Sequence, residues 1–396
     1  MKKILGVLLL LVPLLSGCYN YRELNDLGVV TAISIDYDKD KEVFKTKAQV
    51  INPVKQQNAN SGNEPSFLVF DGEAKSLQES FRKAVEISPR QLYGSHLQIL
   101  ILSEEAINNH LDSVLDFLVR NPELRSEFKV IIGKDKESID SLTIQTLLDS
   151  LSSSDLLDSL TLQNSIEGIS PVYTINDLSN AYLNPHLEIV LPSMTVEGNL
   201  KEGESEKNKT STKYKAHTKI STTAIFKDNK LLTYLNEKQS KSLNLIRGEL
   251  KETIIKIDTK EGYIVFEPNS IKTKTKVDVK NNKVKLTIKG LSRINEVTSN
   301  VNIKSPEEID KLEKELNKYI KNSLLDTFTY IQKEYNTDVF KFQDLYYKED
   351  YKYFNKHYKD WYKNAFPNLK LEVEANISLY EKGNILGGFN YERKNK

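Results

Sequence analysis

Residues 96–133 read HLQILILSEEAINNHLDSVLDFLVRNPELRSEFKVIIG, and the way this stretch divides decides the fold. HLQILIL is a short, continuous apolar run of the kind that forms a buried strand. Ser103 follows it, and Glu104 and Glu105 come next, which is a helix cap with acids in the first turn where the dipole favours negative charge. The helical pattern runs to Arg120, and FKVIIG is the next strand. Just upstream, SFLVFDG (66–72) reads as a strand and residues 74–87 as a helix. Downstream, Ser138 is placed to cap a helix containing Leu142, Ile144, Leu147, Leu148 and Leu151. Strand and helix alternate, so a mixed sheet with helices packed against it is expected.

Toward the amino end, GVVTAISIDYD (28–38) and EVFKTKAQVIN (42–52) form an antiparallel hairpin across a Lys/Asp turn. Toward the carboxyl end, GNLKEGESEKNKTSTK (198–213) has one large apolar residue in sixteen, too little to offset the entropy of ordering. It reads as a linker or domain boundary, with a solvated hairpin tip as the alternative. Beyond it, STTAIFKDNKLLTYL (221–235) is a hairpin turning at Asp228 and Asn229, followed by a helix over 237–247 that Gly248 terminates. ETIIKID, GYIVFEP, SIKTKTKVDV and KVKLTIKG then make a strand-rich meander.

Ser305, Pro306 and Glu308 supply an N-cap, a first-turn proline and a capping-box acid. Ile309, Leu312, Leu316, Ile320, Leu324, Phe328 and Ile331 recur at spacings of three and four, which predicts a long amphipathic helix with one face on a sheet. A further helical segment and the strand LKLEVEANISLY (369–380) close the chain. The expected fold class is α+β or mixed α/β and multidomain: mixed sheets packed by helices, and a strand-rich C-terminal domain with a long amphipathic helix. Residues 18–197 form the N-terminal α/β region, as one domain or two, 198–213 the linker or boundary, and 214–396 the C-terminal domain.

Residues 1–17 are expected to be a signal peptide. Lys2 and Lys3 start it, Ile4 to Leu15 is a twelve-residue apolar stretch interrupted by Gly6 and Pro13, and Ser16 and Gly17 are small. A spanning helix needs about 20 residues, so this segment is too short to cross a bilayer. Cys18, the sole cysteine, closes the string LLSGC and fits a lipobox, in which the thiol is alkylated by diacylglycerol and the mature chain begins at the lipidated residue. With no second cysteine, Cys18 has no disulfide partner within the chain. Two acyl chains anchor stably where one is marginal. Few residues separate Cys18 from the first strand, so at about 3.3 to 3.6 Å each the first domain is tied close to the bilayer.

Composition and motifs exclude several classes. Lys and Arg number 56 against 55 Asp and Glu, and signal removal takes Lys2 and Lys3; this balance lacks the basic face that nucleic acid requires. The thiol belongs to the lipobox and no GxSxG string occurs. His96, His110, His186, His217 and His357 are scattered singly, with neither HExxH nor a Cys/His cluster. No Gly-rich phosphate loop is present. Neither a metal nor a cofactor is expected, and no catalytic residue. Glu104 with Glu105, and Glu307 with Glu308, lie at helix starts, where the dipole explains them.

Tyr347, Tyr351, Phe354, Tyr358 and Trp361 recur at helical spacing. Their stripe is either core of the second domain or a docking face for a membrane partner. Tyr346, Tyr353 and Tyr362 lie off the stripe and are the candidate partner contacts.

Taken in order, CYNYRELNDLGVVTAISID (18–36), PRQLYGSHLQILILSEEAI (89–107), LDFLVRNPELR (115–125), TTAIFKDNKLLTYLNEKQSKSLNLIRGEL (222–250) and DWYKNAFPNLKLEVEANI (360–377) closely resemble the Ger(x)C family, the lipoprotein C subunits of spore nutrient germinant receptors. Tyr19 stands where a tryptophan is common. Arg90, His96, Arg120, Pro122 and Arg125 are motif positions within the resemblance, and hydrogen bonds from the arginines to strand or helix ends would explain them equally well. The resemblance implies a body of α/β domains on the outer face of the spore inner membrane, assembled with two multi-spanning subunits called A and B. It implies no enzyme activity, and Cys18 is the one residue to which it carries a defined role. The expected function is a lipid-anchored, non-enzymatic receptor subunit acting in assembly or signal coupling during germination. The rival is a lipid-anchored solute-binding protein with a nutrient cleft between two similar lobes; a cell-envelope hydrolase is a third reading.

Overall fold

A computed structural model describes residues 26–53, 55, 64–299 and 305–381. Cys18 and the expected signal peptide, residues 1–17, lie outside the described residues. Strands β1 (Leu27–Asp38), β2 (Val43–Ile51) and β3 (Phe67–Ala74) form an antiparallel meander. Helix α1 (Leu77–Glu86) then leads to the short β4 (Gln91–Tyr93), which lies parallel to the start of β1. The deciding stretch folds as read, into β5 (Ile99–Ser103), α2 (Glu104–Arg120) and β6 (Lys129–Gly133). Ser103 accepts a hydrogen bond from the Ala106 N–H, capping α2. All five residues of β5 are buried, as expected of a parallel strand covered on both faces.

The chain continues through α3 (Lys136–Asp140), α4 (Ser152–Ile166), α5 (Ile175–Leu183), β7 (Val190–Gly198), α6 (Leu200–Gly203), α7 (Glu206–Thr210), β8 (Ala216–Lys227) and β9 (Lys230–Tyr234). The nine-stranded sheet runs β3-β2-β1-β5-β6-β7-β8-β9, with β4 beside β1. Its centre is parallel and its flanks antiparallel. Ile139, Leu156 and Leu160 pack with Ala32, Ile99 and Ile131 on one face. Phe81, Leu111 and Val114 pack with Ile33, Leu100 and Leu102 on the other.

One local reading differs from the structure. The helix after β6 is capped by Asp135, not Ser138, and ends at Asp140; Ser138 instead bonds Asp135 and the Met194 carbonyl. Leu147 and Leu148 lie in the loop before α4, with Leu148 89% exposed, so their apolar character does not reflect a helix face. Residues 198–213 join two adjacent strands of one sheet, Gly198 pairing with Ala216, and carry α6 and α7. Polar bonds order this segment in place of apolar burial: buried Asn208 donates to the Gln145 and Ala216 carbonyls and accepts from Lys215 N–H.

Past β9 come α8 (Glu237–Ile246), β10 (Ile255–Thr259), β11 (Gly262–Asp278), β12 (Lys283–Val297), α9 (Pro306–Glu334), α10 (Phe342–Glu349), α11 (Tyr351–His357), α12 (Trp361–Asn364) and β13 (Lys370–Glu381). The second sheet has the order β10-β11-β12-β13, with β13 parallel to β12. The hairpin at Asp228 and Asn229 has both residues at positive φ, 50° and 61°, the turn that matches strand twist. Gly248, at φ 73°, ends α8. Ser305 caps α9, and Ile309, Leu312, Leu316, Ile320, Leu324, Phe328 and Ile331 are all buried. Each such side chain contributes about 1.5–3 kcal/mol when fully removed from water.

The two sheets differ in strand number and order, so they are not two similar lobes. One contiguous set of buried side chains runs from Val30 in β1 to Ile377 in β13. Fold class is therefore mixed α+β with helices packed on mixed sheets, as read.

Candidate functional site

Strand direction determines which motif residues meet. β1 starts at Leu27, paired with Gln91, so the described chain enters the first sheet at this end. α1 and α2 each run back from the far edge of the sheet, so their last residues, and the segments 87–98 and 121–128, return to it. Arg90 lies against Gly28. His96 and Arg125 share a cleft with Val29, Thr31 and Glu127. Arg120 and Pro122 border a groove of about 1340 Å³ between α1 and α2, floored by Phe81, Leu92 and Phe117. Ile87 and Val119, each 67% exposed, close α1 and α2 here. All five motif positions thus gather at the end of the sheet nearest Cys18 in sequence. Arg120 bonds Asp116 at 2.6 Å but is 78% exposed, an ion pair worth little to stability.

A second polar assembly joins the first sheet and its flanking segments to the helical segment that follows α9. Arg247, just after α8, is fully buried: it donates to the Tyr173 hydroxyl and to the Val339 carbonyl at 2.6 Å, and pairs with Glu249 at 3.0 Å. Lys341 reaches Glu249 at 2.9 Å. Burial works against the Glu249 charge, yet Arg247 and Lys341 hold its carboxyl below the usual range. Asp338, completely buried, accepts from the N–H groups of Phe340, Phe342 and Gln343, and burial pushes its pKa up to about 6. Glu188, ahead of β7, is pushed up to about 7 by burial while it accepts from the Tyr362 hydroxyl at 2.5 Å. Lys227 donates to the Asn336 carbonyl, and Thr337 to that of Phe226.

The aromatic segment folds differently from the single stripe. Asp350 (φ −148°, ψ 83°) separates α10 from α11, and Asp360 precedes α12, so Tyr347 through Trp361 do not share one helix. Phe354 and Trp361 are core, Tyr347 stacks on His186 at 4.4 Å, and Tyr351 is 55% exposed. Among the three candidate contacts, Tyr346 is fully buried against Trp361 and presents nothing to a partner. Tyr353 and Tyr362 are half-buried against the core. Tyr362 belongs to the seam, its ring 4.9 Å beneath the Lys227 ammonium. His110 stacks on Tyr37, His217 faces Glu197 at the surface, and His357 stacks on Tyr353. Among the described residues, no group of three or more His, Cys, Asp or Glu is placed to hold a metal ion, and no helix is long and apolar enough to cross a membrane.

A mixed-sheet domain joined by a buried polar seam to a four-stranded sheet with one long helix defines a class that comparison with known proteins identifies. "Spore germination protein N-terminal domain" matches residues 20–196 and "Spore germination B3/GerAC like, C-terminal" matches residues 221–383. The chain belongs to the Ger(x)C family of spore germination proteins. Among relatives in Bacillus subtilis (strain 168), spore germination protein KC is 27% identical over 96% of each chain. Spore germination protein B3 is 22% identical, over 96% of this chain and 98% of that one. The crystal structure of the GerBC protein shares the fold with a TM-score of 0.51 at 18% identity, covering 88% of this chain and 96% of that one. The family is not a known enzyme family.

Proposed function

We propose that the protein is the lipid-anchored, non-enzymatic C subunit of a spore nutrient germinant receptor. In this reading residues 1–17 are removed, Cys18 carries the lipid, and the body sits on the outer face of the spore inner membrane beside multi-spanning A and B subunits. It acts in receptor assembly or signal coupling. The observation that carries the reading is the gathering of Arg90, His96, Arg120, Pro122 and Arg125 at the end of the first sheet that the tether enters. That end is held close to the bilayer, where contacts with membrane subunits would form. The buried seam around Arg247 supports coupling, because it links the first sheet to the helical segment after α9 through groups that cannot be left unpaired.

The test is isolation of the tagged protein from spore membranes after mild solubilisation, in wild-type form and with Arg120→Glu and Arg125→Glu together. The expected result is co-isolation of two multi-spanning proteins, reduced at least fivefold by the double variant at equal protein level. A membrane-retained protein that brings no multi-spanning companion would contradict the assignment.

A further inference from the structure

The outer face of the second sheet carries a charge pattern that sheet packing does not explain. From residue 272 to residue 289 the chain has seven lysines and one acid, Asp278, a local excess hidden within a near-neutral whole. Alternation along the strands sorts these side chains by face. Val284, Leu286 and Ile288 on β12 point inward and are fully buried, as are Val373 and Ile377 on β13 beneath α9, whose Asn317 bonds the Ile377 backbone. Lys272, Lys274 and Lys276 on β11, Lys285 and Lys289 on β12, and Lys370 on β13 take the opposite face and are exposed.

Register sets like charges side by side on that face. Lys272 stands opposite Lys289, Lys276 opposite Lys285 and Lys283 opposite Lys370, and like charges directly across a ladder are destabilising. Acids on β13 answer two of these cations: Glu372 pairs with Lys283 at 2.8 Å and Glu374 with Lys285 at 2.9 Å. Lys272, Lys274, Lys276, Lys289 and Lys370 have no ion pair among the described residues. The adjoining stretches 300–304 and 382–396 hold five cations against one acid, Glu392, so they do not supply the missing countercharge. At one end of the same face Leu291, 43% exposed, follows Lys289 along β12, and Tyr380, 50% exposed, lies near the end of β13.

Lysine is a point charge without the guanidinium fork that selects one phosphate geometry. An array of such charges suits a fluid layer of anionic headgroups, to which basic residues are drawn. The exposed leucine and tyrosine beside the array add the apolar body and polar tip favoured at a membrane–water interface. We propose that this face docks the body on anionic lipid headgroups, the five unpaired lysines standing opposite the phosphates. For its cellular setting this docking rests on the reading of a membrane-held subunit, but the contact itself needs no acyl chain and stands or falls separately from the lipid on Cys18.

Vesicle flotation of residues 18–396 with Cys18→Ser, which cannot be lipidated, keeps the two apart. The expected result is binding to phosphatidylcholine vesicles containing phosphatidylglycerol, at least tenfold above binding to phosphatidylcholine alone and weakened at least fivefold by high salt. Lys272→Glu, Lys274→Glu and Lys276→Glu together should reduce binding at least tenfold; because the new acids would face Lys289 and Lys285, the melting temperature should not fall. The same charge change on α9, at the exposed Lys311, Lys314 and Lys318, should leave more than half of the binding. Equal binding to the two vesicles, binding that salt does not weaken, equal loss in the two triple variants, or capture of polyglutamate in place of vesicles would overturn the assignment.

Discussion

Arg247 donates from its guanidinium to the carbonyl oxygen of Val339 at 2.6 Å, with the whole arginine side chain sealed from solvent. Ninety-odd residues separate the two in sequence, and the bond ties the end of α8 to the segment leading into α10. The same guanidinium serves Glu249 and Tyr173, so one buried cation fixes three separate pieces of chain.

Removing that cation should be costly. Arg247→Ala leaves Glu249 without its principal partner and the Val339 carbonyl without a donor, a loss on the order of 3–5 kcal/mol. Arg247→Lys cannot reproduce the fork of donors and should recover less than half of it. Urea unfolding of both variants against wild type checks the order, and equal stability of all three would refute the seam's role.

The two raised carboxyls give a pH dependence of defined sign. Glu188 and Asp338 are raised from 4.5 to about 7 and from 3.8 to about 6. Between the ordinary carboxylate range and these values the folded chain holds protons that the unfolded chain has released. Their contribution to stability is therefore greatest below about pH 4 and falls as pH rises toward 7. Glu188→Gln, which keeps a hydrogen-bonding partner for Tyr362, should remove part of that fall, on the order of 2 kcal/mol between pH 5 and pH 8. Melting temperatures of wild type and variant at the two pH values decide it; identical slopes would count against the buried-acid account.

α9 is the structural spine of the second sheet. Leu316 is fully buried on it, so Leu316→Ala should cost about 2–5 kcal/mol. Ser305→Ala, which removes the cap, should cost about 1 kcal/mol. Lys318→Ala, on the exposed face, should stay within about 0.5 kcal/mol. Denaturation midpoints for the three would fail this reading if the exposed change equalled the buried one.

Gly72 tests the packing of α1. A Cβ there would fall inside the van der Waals radius of the Ser80 carbonyl oxygen, and Ser80 Oγ donates to the Gly72 carbonyl at 2.8 Å. Gly72→Ala must push α1 off β3 and should unfold or strongly destabilise the first domain, whereas Gly248→Asn, at a positive-φ position where a Cβ would make only ordinary van der Waals contact with Thr273, should be tolerated. Circular dichroism of each variant distinguishes them.

Elements governed by local chemistry were legible in the chain. Ser103 and Ser305 marked helix starts, Asp228 with Asn229 marked a turn, and the spacing from Ile309 to Ile331 named the apolar core residues of one helix face, though not the buried Ser323 and Thr327 beside them. Elements decided by distant partners were not. β7 contains Pro192 and Ser193 and owes its place to β8. The polar stretch 198–213 is ordered by Asn208 reaching Gln145 and Lys215. The run of tyrosines imitates one helix because periodicity cannot register backbone breaks at Asp350 and Asp360. Of the candidate sites, the motif positions could be named from sequence, but their convergence depends on strand order. The Arg247 seam left no local trace, since its members look like ordinary charged residues until the first sheet meets the segment after α9.

If a diacylated cysteine holds this body at a membrane, as proposed, mass spectrometry of the protein extracted from spore membranes will find that group at the amino terminus. The amino-terminal peptide should begin at Cys18 and carry a diacylglyceryl group on its sulfur. A free thiol at Cys18, on a protein recovered in the aqueous fraction, would contradict it.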